Sequence, residues 1–324
     1  MSTTPTDASR TGRKPRPRLL HGLNWLVVRQ HRASILVVLA LTALGALWIV
    51  YQRGQMHDAL VAAGWPEKPL EQTIASGGLL LTVNALGAFP VVLAVFLGAT
   101  LISADQEHGT AQLVTTQSVS RRRWLTTKLF WCYLTVLVCS GVVSAFFTWW
   151  WKPYRVAFSF TWHQGTIFDN TGPMLPALCL FLTAAGITIG LLVRRVLMSM
   201  VVTFGFAVAV EVAWGLVRES LASPQMINYP LNAAAPAKLN DMYEMDRWVS
   251  DSDGKLFGWA HCSSLESESA VNACVKENGI VDNVVKYLGY DQMPSMQWTG
   301  AGFLLLGTIA LTAFALWWAS RRPL

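Results

Sequence analysis

Six runs of about twenty mostly apolar residues, separated by polar segments, set the pattern of this chain. They fall at about Ala33–Tyr51, Leu79–Ser103, Leu129–Trp151, Met174–Val193, Val196–Val217 and Trp298–Ala319. A hydrocarbon core roughly 30 Å thick takes about 20 apolar residues per helix, so each run predicts a membrane-spanning helix. Within the runs only Glu211 carries a formal charge. The pattern predicts an all-α integral membrane protein with six transmembrane helices.

Between the runs the segments differ in kind. Residues 1–18 are rich in Ser, Thr, Pro and Arg and predict a disordered basic tail. Over 19–32, Leu19, Leu23, Leu26 and Val27 recur at helical spacing, which predicts an amphipathic helix in the membrane interface or an extension of the first span. Residues 33–217 hold spans one to five, with a polar loop at 104–128 between spans two and three. Spans four and five are joined by little more than Arg194-Arg195, so they predict a tight hairpin, and Gly186 and Gly190 in span four would let another helix approach closely. Residues 218–297 are too long for a bare connector and predict a small subdomain of short helices. Residues 298–324 complete span six and a short end.

Charge decides orientation. The 25 Lys and Arg divide fifteen to ten between the segments on the N-terminal side of the bundle and those opposite. The 19 Asp and Glu divide three to fifteen, the remaining one being Glu211. Basic loops stay in the cytoplasm, so both termini and 104–128 are expected there, and 218–297 outside the cell. The basic balance is thereby a topology signal rather than a sign of nucleic acid, and the expected surroundings are a lipid bilayer. A basic start followed by an apolar run also suggests a signal peptide, but the run is long and no small-x-small site follows it, so an uncleaved first span is expected. Only 14% of residues are charged, against roughly 25% for soluble domains.

Candidate chemistry is sparse. Cys132, Cys139 and Cys179 lie within spans as packing residues; Cys262 and Cys274 share the outer segment, where a disulfide can form. Asn84 and Pro90 in span two are either cavity residues or the marks of a kink. Glu211 either contacts a cationic substrate or a proton, or hydrogen-bonds a neighbouring helix; Arg218 lies two turns along the same face. All six His fall outside the runs and no nucleophile or metal motif is present, which argues against an intramembrane enzyme and for no metal.

The loop carries the most information. It runs Glu107-His108-Gly109-Thr110, then a short apolar stretch Leu113–Gln117, then Ser120-Arg121-Arg122-Arg123 and Lys128. A turn at Gly109 followed by a short helix lying along the membrane fits these residues, and the basic run reads on its own as a topology anchor. The motif, with six spans, an interfacial helix and a long outer segment before span six, resembles the type-2 permeases of ABC transporters, the membrane subunits of many bacterial exporters. The resemblance implies that Glu107, Gly109, Thr110 and Leu113 belong to a coupling helix docking on an ATPase, with Arg121 and Lys128 positioning it. His108 departs from the charged residue expected at its place. It further implies two copies of a separate ATPase subunit that bind ATP and Mg, a second permease subunit, identical or homologous, and a bacterial cytoplasmic membrane. The chain has no phosphate-binding Gly-x-x-x-x-Gly-Lys-Ser/Thr loop, so no cofactor is expected in it. Drugs, peptides and lipids are the substrate classes implied. A channel or sensory membrane protein is the alternative, and it leaves the loop motif unexplained.

Overall fold

The computed structural model describes residues 22–68, 77–109 and 120–321. A short helix α1 (Leu23–Gln30) ends at a bend on His31, and α2 (Arg32–Ala62) follows. Span two is built from α3 (Gly77–Leu93), a π-helical turn Ala94–Gly98, and α4 (Thr100–Glu107). Then come α5 (Arg121–Tyr154), the single turn α6 (Gly165–Phe168), α7 (Met174–Val193) and α8 (Val196–Val217). Among the described residues, six helices are long and apolar enough to cross a membrane.

Several helices outrun the apolar windows that announce them. The 34 residues of α5 make a rod about 50 Å long, well beyond the hydrocarbon thickness. Its ends are polar, with Ser120 capping the first turn at the Arg123 N–H and Lys152 in the last turn. The bundle therefore has a basic end, carrying α1, residues 104–109 and 120–128 and Arg194-Arg195, and an opposite end that carries a sheet.

Helix α7 is the hub. Its apolar window is 72% buried, against 17% for span one and span five, and it touches α3, α4, α5, α8 and the last span. The close approach depends on glycine. A Cβ on Gly186 would stand 2.6 Å from the Ala94 carbonyl oxygen, and one on Gly98 would stand 2.7 Å from that of Thr183. Gly190 meets the Ala99 carbonyl in the same way. The small-residue spacing of span four thus receives the π turn of span two.

Opposite the basic end, residues 218–297 hold short helices, as expected, and with them a sheet that was not. They contain a four-stranded antiparallel sheet in the order β1-β4-β2-β3, from β1 (Gln225–Pro230), β2 (Tyr243–Asp251), β3 (Leu256–Gly258) and β4 (Ile280–Leu288). The Val, Ile and Tyr of β4 suit a pleated surface paired on both sides better than a helix. Two helices, α9 (Ala260–Ser263) and α10 (Glu268–Glu277), pack beside it, and a disulfide joins Cys262 to Cys274 with their Cα atoms 5.7 Å apart. The chain returns through α11 (Met293–Arg321).

Candidate functional site

Two places gather the polar residues of the bundle. At the basic end, the Lys128 ammonium is completely buried and forms an ion pair with Asp105. The ammonium also lies 3.4 Å from the Leu101 carbonyl oxygen and 4.7 Å from the centre of the Trp124 ring. The other oxygen of Asp105 accepts a 2.8 Å hydrogen bond from Gln30. One carboxylate thereby ties α1, α4 and α5 together. Trp131 adds a second link, donating to Asn24 of α1 over 3.2 Å. His31 stands beside this pair; burial, with Lys128 adding to it and Asp105 opposing, pushes its imidazole down to about 4.

A few residues on, span two is hooked to the hairpin of spans four and five. The Val196 N–H, at the first residue of α8, donates to Glu107 over 2.7 Å, which sets a carboxylate at the positive end of that helix. Gln106 reaches the Leu191 carbonyl oxygen at 3.5 Å. Gly109 then adopts φ +69°, the left-handed conformation that closes many helices and suits glycine. Across the segment, α5 opens on three arginines at its positive end, where they oppose the helix dipole. Their charge therefore serves something other than the helix; Arg122 and Arg123 are exposed and Arg121 half-buried. Thr110, Leu113 and the Leu113–Gln117 stretch lie outside the described residues.

Toward the sheet end, a cavity of about 300 Å³ opens between α3, α6 and α8. Val83, Asn84, Gly87 and Pro90 recur at helical spacing and form one wall. Glu211 and Trp214, three residues apart on α8, form another. The structure thus brings Asn84, Pro90 and Glu211 together on one cavity. Pro90 sits inside α3 and the π turn follows four residues later.

Arg218 does not pair with Glu211. It donates to Asp169 over 2.6 Å, while the Trp214 indole donates to the other Asp169 oxygen over 2.9 Å. A side chain at Gly165 would collide with this arrangement, since a Cβ there would stand 2.8 Å from the Arg218 guanidinium. Burial pushes the Asp169 carboxyl up from its ordinary range, and Arg218 and the two hydrogen bonds pull against that. The turn carrying Asp169 is held by both neighbours: Ser144 of α5 donates to the carbonyls of Asn170 and Gly172, and Gln297 of α11 to those of Phe168 and Thr171. Glu211 itself makes no hydrogen bond or ion pair among the described residues.

Sequence reasoning did not single out Asp169, Asn170, Thr166 or Gln30. The first three lie in a short connection whose placement against α8 only the fold reveals. Gln30 faces Asp105 across 75 residues of chain. Asp105, by contrast, lies two residues before Glu107, where the apolar run of span two gives way to the polar loop.

A family model described as ABC-2 membrane transporter related matches residues 39–218, which include spans two to five, most of span one, the loop and the cavity. No curated protein and no solved structure matches the chain.

Proposed function

Because the chain belongs to the ABC-2 membrane transporter related family, we propose that it is the permease subunit of an ATP-driven exporter in a bacterial cytoplasmic membrane. It works with a separate ATPase, which binds ATP and Mg, and with a second permease copy or homologue. The chain contributes the path and the ATPase contributes the energy. The basic end faces the cytoplasm, which the excess of Lys and Arg there supports.

The observation that carries this reading, beside the family, is how the 104–128 segment is rooted. Its start is fastened to spans four and five through Glu107, and its two flanks are fastened to each other and to α1 through Asp105, Lys128 and Gln30. A push on either flank, at Glu107 or at the start of α5, therefore reaches four spans and α1. That is what a segment must do to turn closure of two ATPase subunits into a change of packing between helices. Substrate passes by way of the cavity of Asn84, Pro90 and Glu211.

The test is capture of the partner. The tagged chain, expressed with its native neighbouring genes and extracted in mild detergent, is expected to bring down an ATPase carrying a phosphate-binding loop. A Glu107→Lys, Gly109→Pro variant, which also breaks the Glu107 bond to the Val196 N–H, is expected to lose it while still eluting as a folded chain. Capture of no nucleotide-binding protein by a folded, oligomeric chain refutes the proposal.

A further inference from the structure

The charge balance of the cavity narrows what it can hold. Two carboxylates reach it, and they differ in kind. Asp169 is neutralised by Arg218 and further bound by Trp214. Glu211 has no such partner among the described residues, and the other acid lining the cavity is Asp169, of its own sign. No Lys, Arg or His lines the cavity among the described residues. A carboxylate at membrane depth without a counter-charge costs several kcal/mol, so a site that keeps one is a site for something positive.

The remaining polar atoms point the same way. Asn170 is 2% exposed; its amide nitrogen donates to the Thr166 carbonyl, and its oxygen accepts no bond among the described residues. The Thr166 hydroxyl is buried without a partner among the described residues. Both residues line the same cavity as Glu211. At about 300 Å³ the space equals roughly ten waters and sits at the lower end of ligand pockets. It admits a headgroup and leaves a hydrocarbon tail outside, against exposed apolar residues of the neighbouring helices such as Leu80 and Val212.

We propose that this cavity binds the ammonium group of a cationic amphiphile, with Glu211 as its counter-ion. The inference rests on the permease reading and names the class of molecule that the permease carries. An anionic headgroup would find no counter-charge beside Glu211, and a neutral one would leave that carboxylate without one.

The test is equilibrium dialysis of radiolabelled octyltrimethylammonium against the purified full chain in dodecyl maltoside, with protein-free micelles subtracted and octyl sulfate as the anionic comparator. Expected is saturable binding of one octyltrimethylammonium per chain and none of octyl sulfate. Glu211→Gln is expected to weaken binding tenfold or more. Gly87→Leu plugs the cavity, because a Cβ at Gly87 meets nothing within 4 Å, and it is expected to abolish binding with Glu211 still in place. Gly141→Leu, at an equally open glycine outside this cavity, is expected to bind as the native chain does. Elution profile and melting curve establish that each variant is folded, and Gly87→Leu carries the test if Glu211→Gln is not. Absence of binding to the native chain, native affinity in a folded Glu211→Gln or Gly87→Leu variant, or saturable binding of octyl sulfate overturns the proposal. Because the permease is assayed without its ATPase, any of these results leaves ATPase capture untouched, and failed capture leaves the dialysis result standing.

Discussion

Replacing Lys128 by methionine removes a charge while keeping much of the side chain's length and bulk. What it leaves behind sets the cost. Asp105, 6% exposed, would keep the hydrogen bond from Gln30 and lose the ammonium of Lys128. Removing one member of a buried pair typically costs about 3–5 kcal/mol, because the other charge stays buried and uncompensated. Asp105→Asn should cost a similar amount by stranding the ammonium between the Leu101 carbonyl and the Trp124 ring. The double variant strands neither charge, and the asparagine oxygen can still accept from Gln30, so it should recover most of the loss, ending within about 1–2 kcal/mol of the native chain. The assay is the thermal unfolding of each variant in one detergent, read as the fraction remaining monodisperse and combined as a double-mutant cycle. ATPase capture is run beside it. Single variants each costing under about 1 kcal/mol, or a double variant as unstable as the sum of its parts, would refute the claim that this pair clamps α4 to α5.

Gly186→Val should cost about 1–3 kcal/mol and lower the folded yield, since its side chain would run into the Ala94 carbonyl; Gly45→Val, where a Cβ meets nothing within 4 Å, serves as the control in the same melting assay. Cys262→Ser opens a bridge spanning 12 residues and should loosen the sheet end by roughly 3 kcal/mol, seen as new protease cleavage near α9 and α10 with the spans intact. His163 stacks on Tyr243 with ring centres 3.4 Å apart; burial holds its imidazole below the ordinary 6.5, with Glu219 opposing and Arg218 adding. A histidine lowered in the folded state binds fewer protons there than when unfolded, so its support is whole above 6.5 and declines as pH falls toward the folded value. Titration of the His163 ring by NMR should give a midpoint under 6.5; a midpoint at or above it would contradict the burial.

The spans were legible because a bilayer demands one thing of each: enough consecutive apolar residues. Glu211, Asn84 and Pro90 stood out for the same reason, as departures from that demand, and all three meet at one cavity. Legibility ended where pairing is long-range. Nothing local distinguishes Asp169 as the partner of Arg218, 49 residues away. The sheet was misjudged because β4 has only nine residues, a length at which apolar periodicity separates strand from helix poorly, and its central position comes from β1 and β2 on either side. Glu107 stood out as a surface acid of the loop, and its hold on the Val196 N–H could not be foreseen without the hairpin's position.

The π turn at Ala94–Gly98 makes span two a phased object. Deleting one residue there to restore ordinary α-helix would rotate everything beyond it by about 100° and draw it up by about 1.5 Å. The face with Asn84, Gly87 and Pro90 would still look into the cavity. Asp105 would swing away from Lys128, and Glu107 from the start of α8. The two ends of this helix therefore share one angular setting, kept by a single surplus residue seated against Gly186 and Gly190. Length along span two is accordingly not a free variable: a one-residue insertion or deletion anywhere between Pro90 and Asp105 should be far more damaging than most substitutions at the same positions.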